Sequence, residues 1–418
     1  MSAQAAADLL GVKVQTLYAY VSRGLIAPRR VPGQRASQFA HSDIAAMAQQ
    51  RRARRAQTFD AAVGPDLETA LTAIRNGALF YRGRDATELA HRYSFERVGE
   101  WLWSGEGHTL DAASPVHWLP TGPGMAVCHD LHAHLPSEVP LPDRIRQSVA
   151  LLGPFDAFRF DLSPDTVRAT ARSLIATLVD TLPLSGPAVA LCHLGTEPLT
   201  LASTLWSRLG AGAPSAGMIE TLNAALVLLS DHELATSTFA ARVAASARAD
   251  PYSVVLAGLG AVAGRLHGGV GPLVVQLLLR IGRPAEVVPV IAEHLKHESR
   301  LPGFGHPLYP RGDPRARAIL AMLHDAQHNR AAQLRLDTVD RLLDVARGRN
   351  PVEPNVDFAV AALCYVGRMP AGAAEAIFSL ARCVGWVAHA IEEYASPPLR
   401  FRIRADYVGP PIDADASP

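Results

Sequence analysis

A chain of 418 residues with 49% apolar content is long enough for two to four domains at roughly 100 to 200 residues each and can fill a large core. Those figures exclude a disulfide-stapled miniprotein and a disordered tail. The net charge of +1 divides unevenly: residues 1–55 carry nine Lys or Arg against Asp8 and Asp43, a local +7, so the remaining 363 residues sum to −6. A basic appendage on a mildly acidic body is the expectation. Lysine occurs only at positions 13 and 296 against 38 arginines, so an arginine here is marked out by position and not by rarity. Cys128, Cys192, Cys364 and Cys383 form no CxxC pair and no charged-then-apolar leader precedes them, which predicts a cytoplasmic chain with reduced thiols. The longest apolar stretch, 253–279, is interrupted by Arg265 and His267, so no membrane span is expected.

In chain order, Ala5 to Leu10 reads as a short helix, Gly11-Val12 as a turn, and Val14 to Ser22 as a second helix with Gly24 just past its end. Helix, glycine turn, helix is the helix-turn-helix arrangement. The stretch AAADLLGVKVQTLYAYVSRGLI resembles the winged helix-turn-helix of excisionase and MerR-type regulators. That resemblance implies a second helix presenting Gln15, Thr16, Tyr18 and Ala19 to the major groove, with Arg23 among the DNA-binding residues. It also implies a wing, APRRVPGQRASQF, placing Arg29, Arg30 and Arg35 near phosphates, and Ser42 capping a further helix. The alternative is a small helical module that touches no DNA. An arginine-rich piece at 51–55 is read as the link to the body.

Beyond residue 60, apolar residues recur every three or four positions through ERVGEWLW, MIETLNAALVLL, HELATSTFAARVAASA, PLVVQLLLRI and GAAEAIFSLARCVGWVAHAIEEY, which predicts an all-α body. Only GALFYRG, at 77–83, reads as a strand or hairpin. Proline and glycine cluster at 302–314 and 349–354 in loops of the kind that carry sites.

Several residues invite a chemical reading. Gly258, Gly260 and Gly264 form a GxGxxxG run that lacks the acidic residue a dinucleotide fold places about 20 positions on, so nicotinamide binding is not expected. Cys128, His129, His132 and His134 lack metal-ligand spacing, and no metal is expected. Ser230-x-x-Glu233 reads as a capping box that starts a helix and sets His232 in its first turn. Asp313-Pro314-Arg315 reads as N-cap, first helical position and an arginine placed to meet an anion. His267 in LHGG, ahead of a helix opened by Pro272, and His306 in GFGHP are flanked by glycines that let backbone approach a ligand. Asp357 in PNVDF is either a helix N-cap or a functional carboxylate.

Taken together, GALFYRGRDATELA, SDHELATSTFAARVAAS, AGRLHGG, PGFGHPLYPRGDPRA, PNVDF, ARCVGWVAHAIEE and RIRADYVG, in that order, resemble the citrate synthase family over about residues 68–410. The two resemblances together imply a helix-turn-helix module at 1–55 followed by a citrate synthase-like domain at 56–418, with a small helical subdomain at roughly 268–375 inserted in a large one. The citrate synthase resemblance implies a homodimer and an acyl-CoA plus oxaloacetate condensation, with acyl-CoA as substrate and no cofactor. Asp357 matches the general base, His267 the residue that stabilises the enol, and His306 the one that polarises the keto oxygen. His232, Arg315 and Arg382 match oxaloacetate ligands, and Arg402 the arginine supplied by the partner chain. Acetyl-CoA is the expected acyl donor, propionyl-CoA the alternative, and a metabolite-sensing DNA-binding regulator the rival from another class. The sequence departs from the family pattern at Val270-Gly271-Pro272 and at Pro307, around the expected acyl-CoA position.

Overall fold

The computed structural model describes residues 1–10, 14–22, 26, 28, 38–40, 44, 67–105, 110–111, 114–185, 199–264, 267–298, 300–349, 352–401 and 409. They fall into two units, Met1–Glu68 and Thr69–Pro418.

In the first unit, α1 (Ala3–Leu10) and α2 (Val14–Ser22) bury Ala6, Ala7 and Leu17 together with Ile26, Phe39 and Ile44. The chain end is tied down at both partners of one bridge: the Met1 ammonium donates to Phe39 O at 2.8 Å, and Phe39 N donates back to Met1 O at 2.9 Å. Burial of Leu17 leaves the opposite side of α2 outward, with Gln15 exposed and Tyr18 46% exposed. Thr16 is half-buried. Arg23, Arg29, Arg30, Arg35 and the 51–55 link lie outside the described residues.

The second unit opens with an antiparallel meander, β1 (Thr72–Arg75), β2 (Ala78–Tyr81) and β3 (Arg84–Asp85), in register Thr72↔Tyr81 and Phe80↔Asp85. Asn76-Gly77 and Arg82-Gly83 turn it with both residues at positive φ, the geometry whose twist suits a two-residue hairpin. Asp85 then accepts from Thr87 N and Glu88 N and starts α3 (Ala86–Arg92), and Ser94 caps α4 (Phe95–Ser104). Among the described residues the named elements that follow are helices: α5 (Gly124–His134), α6 (Leu141–Leu152), α7 (Pro164–Asp180), α8 (Leu201–Leu209), α9 (Ala216–Leu229), α10 (Thr236–Ser246) and α11 (Pro251–Val262). Next come α12 (Val270–Ile281), α13 (Val287–His297), α14 (Pro314–Asp325), α15 (Arg330–Arg349), α16 (Val356–Val366) and α17 (Ala373–Tyr394).

Helix α17 is the axis of this unit. It is apolar nearly all round because α4, α6, α7, α9, α10 and α11 pack against it. By length and composition it passes for a bilayer span, yet 89% of its apolar window is buried inside the unit, as for a core helix. The GxGxxxG run begins inside α11, and Gly258 serves packing: a Cβ there lies 2.5 Å from the Trp386 ring of α17. A second set, α12, α14 and α15, packs on α16, and α13 packs on α15.

Local expectations are corrected in three places. Ser230 closes α9 instead of opening a helix: its hydroxyl donates back to Leu226 O, and the next helix begins only at Thr236. The capping box does not form because Glu233, at φ +52°, accepts from Ile74 N of β1 at 2.6 Å. Asn355, not Asp357, caps α16, accepting from Asp357 N and Phe358 N, so Asp357 stands in the first turn with its carboxylate uncommitted to the cap. Helix α12 starts at Val270, two residues before Pro272. Gly258→Ala is expected to destabilise the fold by about 1–3 kcal/mol through overpacking, read as a lower unfolding midpoint; an unchanged midpoint contradicts the packing assignment.

Candidate active site

The C-terminal end of α9 runs into a turn, 230–233, and α17 holds that turn along three points of one face. Arg382 Nε donates to Leu229 O at 2.7 Å, Gly385 N to Ser230 O at 3.0 Å, and His389 Nε2 lies 3.0 Å from Asp231 Oδ2. Gly385 is required for the approach, since a Cβ there lies 2.3 Å from Ser230 O. From the other side, Tyr81 Oη sits within 3.0–3.2 Å of the carbonyls of Val227, Leu228 and Asp231, and Thr72 Oγ1 donates to Asp231 Oδ2 at 2.5 Å. The residue so presented is His232, 7% exposed, with Nε2 2.9 Å from Tyr309 Oη.

Tyr309 belongs to the proline- and glycine-rich 302–313 loop, which also delivers His306. The His232 and His306 ring centroids are 5.3 Å apart and edge-on, and Tyr309 lies 4.9 Å from His306. His306 Nδ1 accepts from Leu308 N at 3.2 Å, which assigns the ring proton to Nε2. At the end of the loop Asp313 caps α14 and also grips the Arg315 side chain bidentately, Nε to Oδ1 at 3.0 Å and Nη2 to Oδ2 at 2.8 Å. Asp313 Oδ2 further accepts from Val356 N, tying the loop to the start of α16. The guanidinium of Arg315 lies 5.4 Å from the Tyr309 ring centroid.

Arg382 is 1% exposed, its guanidinium 4.7 Å from the Phe378 centroid, and its Nη1 is buried without a protein partner. A buried, unpartnered guanidinium donor is costly unless it meets an anion. His267 meets the other edge of this group, Nε2 2.8 Å from Ser237 Oγ and ring centroid 5.8 Å from Phe378. Asp357 lines a small cavity with Leu229, Gly268, Gly271, Val360, Ala374 and Phe378.

Electrostatics sorts these groups. Burial pushes the His267 and His306 imidazoles down to about 4, aided at His306 by Arg315 and at His267 by Arg382, and drives His232 well below its ordinary value. All three are therefore neutral near pH 7 and able to donate one N–H without carrying charge. Burial lifts Asp357 to about 6 against the opposing pull of Arg315 and Arg382, which leaves it ionised at neutral pH yet more basic than an ordinary carboxylate. Burial works against the Arg315 charge, but Asp313 outweighs it and the guanidinium is held more firmly protonated.

Six of the seven residues singled out for substrate chemistry, His232, His267, His306, Arg315, Asp357 and Arg382, thus lie in one region of shared contacts and fields. Arg402 lies outside the described residues. Sequence reasoning missed Tyr309, Ser237, Phe378 and Asp231; only Tyr309, three residues after His306 in a tight loop, left a local sign. Cys128, His129, His132 and His134 sit on α5 and turn to different groups: Cys128 to Ser148 O, His132 to Ser148 Oγ, His129 to Asp180 and His134 to Asp130 O. Among the described residues no group of three or more His, Cys, Asp or Glu is arranged to hold a metal ion. Of the altered positions, Gly271 lines the Asp357 cavity, while Pro307 is exposed.

Residues 64–404 match the family described as citrate synthase, C-terminal domain, and residues 1–52 match a helix-turn-helix domain. Among curated relatives, citrate synthase 2 of Bacillus subtilis (strain 168) is 29% identical over 352 residues, 82% of this chain and 93% of its own. A 2-methylcitrate synthase 1 of Corynebacterium glutamicum is 28% identical over 349 residues, 78% of this chain and 87% of its own. Among solved structures, the citrate synthase of Thermotoga maritima MSB8 superposes with a TM-score of 0.61 at 26% identity, covering 85% of this chain and 96% of its own. The Thermoplasma acidophilum citrate synthase, solved with carboxymethyl coenzyme A and oxaloacetate, shares the fold with a TM-score of 0.65 at 24% identity, covering 85% of this chain and 96% of its own. With the matching family model spanning 341 residues around a site built from its blocks, the chain belongs to the citrate synthase family.

Proposed function

We propose that the second unit condenses an acyl-CoA with oxaloacetate and then hydrolyses the thioester, releasing a tricarboxylate and CoA. The observation that carries this reading is one lifted carboxylate, Asp357, in the same apolar region as neutral histidines and two buried guanidiniums. Asp357 takes a proton from the α-carbon while the neutral N–H of His267 meets the thioester oxygen, so that enol and not free enolate forms. A carbon acid is too weak for either group alone, and each contributes on the order of 10²- to 10⁴-fold. His306, with its proton on Nε2, polarises the keto oxygen of oxaloacetate and protonates it as the carbon–carbon bond closes. Arg382, through its unpartnered Nη1, and Arg315 hold the carboxylates, with His232 beside them. Water then cleaves the thioester.

The same reading takes 268–375 as the subdomain that closes over substrate and excludes water, and takes the protein as a cytoplasmic homodimer whose partner chain supplies Arg402. A dimer is supported by the outward sides of α10 and α11, which carry Ala240, Val243, Ala244, Leu256, Ala257 and Gly260 part-exposed at helical spacing. Acetyl-CoA is the proposed donor and propionyl-CoA the alternative, since one methylene is worth only about 1–3 kcal/mol of discrimination.

A panel of acyl-CoAs with oxaloacetate is expected to give thiol release with at least one donor, and Asp357→Ala to lower kcat/KM by roughly 10²- to 10⁴-fold. Release that survives this substitution removes Asp357 from the base role. Because the base must be ionised, kcat/KM for the acyl-CoA should fall as pH drops through about 6 and stay level above it; an acid limb near the ordinary carboxylate range contradicts the lifted Asp357.

A second reading is favoured by the helix-turn-helix match: the first unit binds DNA through Gln15, Thr16 and Tyr18 on α2 and through Arg23, Arg29, Arg30 and Arg35. It is compatible with catalysis, and a dimeric body presents two reading heads to a palindromic site. Duplex retention by the full chain should fall steeply, by about 10³-fold or more between roughly 50 and 200 mM salt if six or more phosphates are neutralised. Salt-independent retention, or none at low salt, rejects DNA binding.

A further inference from the structure

Behind the His232 turn runs a line of buried polar and charged side chains that the condensation itself does not use. Asp231 is 1% exposed, His389 0%, Arg242 1% and Glu393 0%. His389 bridges the first and third: its Nε2 meets Asp231 Oδ2 at 3.0 Å and its Nδ1 meets Arg242 Nη1 at 3.0 Å. Since Arg242 can only donate, Nδ1 accepts and the ring proton sits on Nε2, aimed at Asp231. Arg242 continues to Glu392 at 3.0 Å and to Glu393 at 3.1 Å, and Glu393 also takes Arg400 bidentately at 2.7 and 2.6 Å. Leu399 N donates to Ser246 O, so the line ends where the chain is fastened at 399–400.

Ion pairs this deep are poor stabilisers, because desolvation consumes most of their attraction, whereas removing one member leaves a buried charge uncompensated. Their placement gives a reason for keeping them. Asp231 is the residue immediately before His232, and its carboxylate faces Arg382, which in turn holds Leu229 O two residues earlier. Burial would lift the Asp231 carboxyl, but His389, Arg382 and Thr72 outweigh it and keep the group ionised. An anion beside the Arg382 guanidinium competes with an incoming dicarboxylate unless its own charge is taken up from behind, and Arg242 through His389 does that.

We propose that Asp231, His389 and Arg242 form a buried positioning relay that fixes the His232 turn and tunes Arg382, and so sets affinity for the dicarboxylate without entering the bond-making step. The proposal rests on the reading of the site as one that binds oxaloacetate. None of the three touches substrate in this account; each acts through His232 or Arg382.

The test compares the full-length wild type with His389→Ala, His389→Gln and Asp231→Asn. The glutamine amide can occupy the place of Nε2 and still donate to Asp231. Two readouts are used: steady-state kinetics, and the rise in unfolding midpoint on adding oxaloacetate, which reports binding without turnover. His389→Ala and Asp231→Asn are expected to raise KM for oxaloacetate by roughly tenfold or more, with kcat and KM for the acyl-CoA changed less than about threefold, the pattern of lost ground-state binding. The oxaloacetate-induced midpoint rise should shrink in both, and His389→Gln should recover most of it. The relay is overturned if kcat falls with KM for oxaloacetate unchanged, or if His389→Gln behaves as His389→Ala. Should His389→Ala not fold, Asp231→Asn and His389→Gln decide alone: a wild-type oxaloacetate response in Asp231→Asn rejects the proposal. A wild type that binds oxaloacetate but releases no thiol sinks the condensation reading and leaves the relay to be judged on the midpoint shift; a wild type that does not bind oxaloacetate sinks both.

Discussion

One helix face decides where the chemistry sits. Arg382, Gly385 and His389, spaced three and four residues apart on α17, seize the carbonyls of Leu229 and Ser230 and the carboxylate of Asp231 in succession. A helix end is normally left to satisfy its last carbonyls with water or a cap; here a neighbouring helix does so, and the end of α9 becomes a rigid mount. On that mount His232 meets Tyr309 and lies edge-on to His306, and Asp313 at the end of the same loop ties it to the start of α16. Gly385 is the condition for it, because no side chain fits between the two backbones.

The second constraint is electrical. Burial in an apolar interior acts oppositely on acids and bases, and the site uses both directions: it raises Asp357 to about 6 and lowers His267 and His306 to about 4. Arg315 and Arg382 temper the carboxylate and reinforce the neutrality of the histidines. The two guanidiniums proposed to hold a dicarboxylate therefore also bias the protonation states on which the proposed proton transfers rest. Asp313 keeps Arg315 fixed on two prongs, whereas Arg382 commits only Nε to protein and leaves Nη1 in reserve.

Much of this was legible in the sequence where the signal was periodic or covalently local. The helical body follows from three- and four-residue apolar spacing, a strand or hairpin from GALFYRG at 77–83, where the structure has a three-stranded meander that starts at Thr72, and the Asp313-Pro314-Arg315 start of α14 from its cap chemistry. Local logic failed where tertiary partners outbid it. Ser230 and Glu233 have the spacing of a capping box, but Leu226 O and Ile74 N claim them instead. Asn355 and Asp357 both suit an N-cap, and the asparagine takes the role, which frees the carboxylate. The line from Thr72 through Asp231 and His389 to Arg242 left no local trace, since its links join a strand, a turn and two helices across 159, 158 and 147 residues of chain. The resemblance to a family singled out seven residues; the structure brings six of them into one region and gives a physical reason for the protonation states of His232, His267, His306, Arg315 and Asp357.

The central claim is that Asp357 and its neutral partners make a carbon–carbon bond. Mass spectrometry of the products formed from acyl-CoA and oxaloacetate tests this most directly. One equivalent of a tricarboxylate carrying the acyl carbons is expected for each equivalent of free CoA. CoA released together with the free carboxylic acid, and unchanged oxaloacetate, would contradict the claim and reduce the site to a thioesterase.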